Sequence, residues 1–151
     1  MRRHAKGKKI DIEPYRDDLI RYLEGLDGLV AAWLYGSYGT PYQTPLSDLD
    51  LAILFRRDRV PDLSEHGQLY IDLAKILHED DDFSILILNR APVLFQFRVL
   101  ETGRQLVCRD PVALADFVEQ VISRHADYIV DHQRFVEEYD QALVERYGHD
   151  R

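Results

Sequence analysis

Asp48 and Asp50 are the residues of this chain most suited to chemistry. They open an apolar run that continues through Phe55. Residues two apart on a strand project from the same face, so their carboxylates stand side by side. Two adjacent carboxylates repel, and a divalent cation is the usual way to satisfy both. Upstream, the apolar run Leu29–Tyr35 stops abruptly at Gly36-Ser37. A strand ending in Gly-Ser offers backbone N–H groups to a phosphate with no side chain in the way. A short helix starting near Tyr38 would aim its free N–H groups at the same place. A phosphate cradle facing a carboxylate pair describes a site for a metal–nucleoside triphosphate.

Each half of this arrangement is common by itself, and the conjunction is what carries information. Gly36-Ser37, ten intervening residues and then Asp48-Leu49-Asp50 resemble the signature of the polymerase beta nucleotidyltransferase superfamily. The local wording is most similar to the minimal nucleotidyltransferase (MNT) proteins: Tyr35-Gly36-Ser37-Tyr38, then Thr44-Pro45-Leu46-Ser47-Asp48-Leu49-Asp50-Leu51-Ala52. The resemblance extends through Leu88-Asn89-Arg90-Ala91-Pro92 and Glu138-Tyr139-Asp140-Gln141-Ala142-Leu143. It implies an α/β nucleotidyltransferase fold, a mixed sheet flanked by helices with a long C-terminal helix. It also implies magnesium on Asp48 and Asp50, and ATP held by Gly36, Ser37 and Ser47.

Relatives of this kind carry a third carboxylate on the strand beside the aspartate pair, about five residues before the Asn of a Leu-Asn segment. Counting back from Asn89 gives Ser84, which is no carboxylate. Asp82 lies two residues earlier and faces the same side if the strand reaches that far. Either Asp82 completes the catalytic set with Asp48 and Asp50, or the site lacks its third acid. The resemblance further implies a role as antitoxin to a HEPN ribonuclease toxin, by transfer of AMP from ATP to a toxin tyrosine. A catalytically weak antitoxin acting by contact is the alternative. A small-molecule nucleotidyltransferase is a third reading, for which the chain has little room, since such enzymes add a helical domain.

The elements that must position these residues are legible in order. Asp11-Ile12-Glu13-Pro14 reads as a helix start, and Tyr15, Leu19, Tyr22, Leu23 and Leu26 follow at helical spacing. A second helix is expected from Asp62 to His78, with Leu69, Leu73, Ile76 and Leu77 on its buried face. The run Phe83–Leu88 reads as a strand buried on both faces, beside the Asp48–Phe55 strand. A third helix runs from Pro92 to Glu101, and Arg104–Cys108 forms a short strand. From Pro111 to Tyr147 no Gly or Pro interrupts the chain, and the stripe through Leu114, Val118, Val121, His125, Tyr128, His132, Phe135 and Tyr139 predicts one long helix. Much of it is expected to pack against the domain, with the distal part, through His125, Tyr128, His132, Phe135 and Tyr139, as a partner surface.

Composition bounds the rest. The 151 residues suit one domain, taken as 10–151 behind a basic tail at 1–9. That tail carries +5, so subtracting it from the net −8 leaves −13 on the body. Such an acidic body is poorly suited to a polynucleotide backbone, so no direct nucleic-acid binding is expected. No apolar run nears the roughly 18 to 20 residues of a membrane span. The basic start lacks the apolar segment of a secretion signal, and the single Cys108 suits a reducing cytoplasm.

Overall fold

Leu29–Tyr35 is apolar throughout, and such a run is stable as a strand only where both of its faces are covered. It forms β1, the strand with packed helices on either side, in a computed structural model that describes residues 12–36, 49–77 and 83–148. Around it the sheet has the order β3-β2-β1-β4. β2 (Leu49–Phe55) and β4 (Arg104–Cys108) pair antiparallel with β1, and β3 (Phe83–Ile87) runs parallel to β2. This is the expected mixed sheet.

The pleat divides β2 between two cores. Leu49, Leu51, Ile53 and Phe55 pack with Leu19 and Leu23 of α1 (Arg16–Glu24) and with Leu69, Leu73 and Leu77 of α2 (Leu63–Leu77). Ala52 and Leu54 point the other way, into a cluster with Val30, Trp33 and Val99. That second face is closed by α3 (Val93–Thr102) and by the start of α4 (Pro111–Tyr147), through Ala113, Leu114 and Phe117. Asp50 therefore belongs, by alternation, to the face shared with α3 and α4.

Local chemistry sets the boundaries. Asp62 accepts from the Glu65 amide at 2.8 Å and caps α2, so it stands just before the helix it was expected to begin. Asp110 caps α4, its Oδ1 accepting from the Ala113 amide at 3.0 Å while Arg56 pairs with Oδ2 at 3.1 Å. The backbone hydrogen bond in the cap, with the neighbouring guanidinium, holds the Asp110 carboxyl below its ordinary pKa. Gly28 has φ +75°, and a Cβ there would lie 2.2 Å from the Cβ of Arg59, so the turn into β1 requires glycine. Asn89 takes over where the β3 backbone ends. Its Oδ1 accepts from the Phe55 amide at 2.9 Å and its Nδ2 donates to the Phe55 carbonyl at 2.7 Å.

Two expectations change. β3 is an edge strand, with Phe83 and Ile87 buried and the three residues between them half-buried, because no further strand covers its outer side among the described residues. The long helix leaves the domain early. Val121 is its one buried residue, His125 stacks on Phe97 at a ring-centroid distance of 3.7 Å, and everything from Ala126 to Gly148 is exposed. That overhang extends for about 33 Å at 1.5 Å per residue. No helix of the described residues is long and apolar enough to cross a membrane. The N-terminal tail, the helix start near Tyr38 and His78 lie outside the described residues.

The division between packed domain and overhang sets up a comparison. Leu73→Ala, in the first core, is expected to cost about 2 to 5 kcal/mol in urea unfolding. Phe135→Ala, 64% exposed, is expected to change the stability of the isolated chain by less than about 0.5 kcal/mol.

Candidate active site

Three adjacent strands bring one polar row together at the end of the sheet. Tyr35 of β1 lies opposite Asp50 of β2, and Asp50 lies beside Ser84 of β3. The Ser84 hydroxyl stands 2.6 Å from Asp50 Oδ1 and donates to it. A hydrogen bond to an ionised carboxylate is among the stronger ones and fixes the carboxylate plane. Asp50 Oδ2 is turned toward the end of β1. A Cβ built on Gly36 would lie 2.3 Å from that oxygen, and Gly36 has φ +79°. Glycine is required twice over here, by the left-handed backbone and by the space the carboxylate occupies.

Tyr35 completes the row. Burial pushes the pKa of its phenol up, the negative charge of Asp50 adds to the rise, and the Ser84 hydroxyl works in the opposite direction. The phenol stays protonated and packs its ring against the second core.

The expected site residues divide accordingly. Gly36 and Asp50 come together, and Ser84 occupies the position beside Asp50 where relatives are expected to carry a third acid. Ser37, Ser47, Asp48 and Asp82 lie outside the described residues. Asp50, held by Ser84 and packed against the Gly36 backbone, fits one side of a divalent-cation site as an oxygen donor. Sequence reasoning passed over Tyr35. Its place one residue before Gly36, on a strand antiparallel to the Asp50 strand, is the signal that finds it.

The family described as Polymerase beta, Nucleotidyltransferase matches residues 17–112. The chain belongs to that nucleotidyltransferase family. Among solved structures, it is similar to a chain of a toxin–antitoxin crystallised with AMP-PNP, at 24% identity and a TM-score of 0.66. That alignment covers 82% of this chain and 97% of the other. A second similar chain comes from a tri-AMPylated Shewanella oneidensis HEPN toxin in complex with MNT antitoxin, at 22% identity and a TM-score of 0.64, covering 85% and 98%. A third comes from the MntA-HepT toxin–antitoxin, at 21% identity and a TM-score of 0.63, covering 84% and 97%. No curated protein gives a significant match. At these identities the likeness is one of fold.

Gly36→Ala should force the Asp50 carboxylate aside. Urea unfolding is expected to show the variant less stable than wild type by more than about 1 kcal/mol. The Tyr35 phenol makes a separate prediction. In the unfolded chain a tyrosine ionises near pH 10. The folded chain keeps the proton longer, so the stability tied to Tyr35 is complete below pH 10 and is lost as pH rises above it. Ultraviolet titration of wild type against Tyr35→Phe should locate one tyrosinate that appears only above that range.

Proposed function

We propose that this protein is an antitoxin that silences a HEPN toxin by transferring AMP from ATP to a toxin tyrosine. The observation that carries the reading is the approach of Gly36 and Ser84 to the Asp50 carboxylate, in a chain of the nucleotidyltransferase family. The toxin–antitoxin complexes with similar folds, one with AMP-PNP and one with an AMPylated toxin, support it. Asp50, with Asp48 two residues before it, would hold a divalent cation, taken as magnesium. Such an ion neutralises triphosphate charge and orients the reacting groups. The backbone at Gly36 and Ser37, with the Ser47 hydroxyl, would bind the phosphates. The phenol oxygen of the toxin tyrosine attacks the α-phosphorus in line, the bond from α-phosphorus to the bridging oxygen breaks, pyrophosphate leaves and the phenol proton passes to solvent.

Ser84 bears on the acceptor. A serine donating to Asp50 holds that carboxylate in place, and it is no general base. A base contributes roughly 10² to 10⁴ in rate where the attacking hydroxyl is a weak acid. A tyrosine phenol, with a pKa near 10, gives up its proton far more readily than water at about 15.7. A site with serine in the third position therefore suits a phenol better than an alcohol. Asp82 supplies a base if it reaches the row. The exposed aromatic residues of the α4 overhang, including Phe135 and Tyr139, would serve as the toxin-facing surface. A body of charge −13 suits a basic partner, in a cytoplasmic setting and as one domain over 10–151.

The same serine favours a second reading, an antitoxin that acts by contact with little or no transfer. The two separate in one experiment, with α-labelled ATP, magnesium and the toxin encoded beside this protein. Transfer of AMP to the toxin, abolished by Asp48→Asn/Asp50→Asn, is the expected result. No transfer, with the toxin bound and still silenced by that double variant, would leave the contact antitoxin. Under the transfer reading, Ser84→Ala frees the Asp50 carboxylate and is expected to lower the rate by about tenfold, near the 1.4 kcal/mol of one hydrogen bond.

A further inference from the structure

The face of β2 that carries Asp50 also carries Leu54, four residues on and about 13 Å away at the spacing of a strand. There a cavity of about 750 Å³ opens between the C-terminal ends of β2 and β3 and the first turns of α4. Its volume lies within the range of small-molecule sites. Val30, Leu54 and Phe117 supply apolar lining, and Arg56, Arg57, Arg90 and Arg124 stand around them with Asp116.

Two features of this cavity are costly as they stand. Arg57 and Arg124 both donate to a single neutral oxygen, Gln120 Oε1, at 2.7 and 3.1 Å. Neither forms an ion pair with a carboxylate among the described residues, whereas Arg56 is paired with Asp110. Two guanidinium groups drawn together without an anion repel, and a phosphate matches their donor geometry. The second feature is Gln96, 2% exposed and part of the cavity lining. Its Nε2 donates to the Leu88 carbonyl at 2.9 Å, while its Oε1 is buried with no hydrogen-bond partner among the described residues. A buried acceptor left unsatisfied is destabilising, and a ligand N–H or O–H relieves it.

We infer that this cavity binds a phosphorylated small molecule of mononucleotide size, distinct from the nucleotide held at Asp50. Its phosphate lies between Arg57 and Arg124, its flat or apolar part lies against Phe117 and Leu54, and a donor group reaches Gln96 Oε1. The acidic charge of the body as a whole favours a small ligand over a polynucleotide.

The test is calorimetric titration of the full chain with AMP in EDTA, which removes metal-dependent binding at Asp50. Wild type is expected to bind AMP saturably, and Asp50→Asn to bind it equally well. Arg57→Gln/Arg124→Gln, two exposed substitutions that leave the core intact, is expected to weaken binding by at least about tenfold through loss of charge-assisted hydrogen bonds. Gln96→Leu is expected to weaken AMP binding while leaving inorganic phosphate unaffected. The inference is overturned if wild type binds neither AMP nor phosphate, if the arginine pair proves neutral, or if Asp50→Asn abolishes the binding.

Discussion

The register of β2 between its two neighbours is the constraint on which the candidate site depends. Pairing Tyr35 with Asp50 and Asp50 with Ser84 places a phenol, a carboxylate and a hydroxyl in one row across three strands. A slip of one residue would turn Asp50 into the core of α1 and α2 and bring Leu49 or Leu51 to the site. Several features oppose that slip. The odd-numbered residues of β2 are embedded among leucines of two helices, and Asn89 fastens the far end of the strand at Phe55 with two hydrogen bonds. The polar row is held by apolar packing several residues away.

That arrangement explains why a polar site survives at the end of a sheet so apolar in the middle. β1 is buried on both faces up to Leu34, and the polar row begins only where helix coverage ends. Asp50 is half-buried, bonded to Ser84 on one side and bounded by the backbone of Gly36 on the other. Its orientation is set before any ligand arrives, and preorganisation of this kind is the main contribution a protein makes to phosphoryl chemistry.

Much of the architecture was readable because it is local. Periodicity placed α4 from Pro111 to Tyr147, Gly36 marked the end of β1, and Asp62 marked the start of α2. The motif placed Gly36 and Asp50 in one site, and counting from Asn89 singled out Ser84. The half-burial of β3 is not legible in its residues, because an apolar run shows no strand order and an edge strand can be as apolar as a central one. The cavity at Gln96 was not readable either. Its arginines come from the turn after β2, the turn after β3 and the fourth turn of α4, and only the fold brings Arg57 and Arg124 to one oxygen. Tyr35 is hidden in the sequence because it reads as the last residue of an apolar run.

The exposed length of α4 has a kinetic consequence. Helix nucleation is unfavourable and propagation is cheap, so the packed segment near Ala113, Phe117 and Val121 acts as a permanent nucleus for the turns that follow. Amide protons near Val121 are protected by tertiary burial, whereas those toward Tyr147 exchange with solvent through fraying of single turns, without unfolding of the domain. One continuous helix thus carries a gradient of hydrogen-exchange rates along its axis. A partner that covered the Phe135–Tyr139 stretch would flatten that gradient without changing a backbone angle.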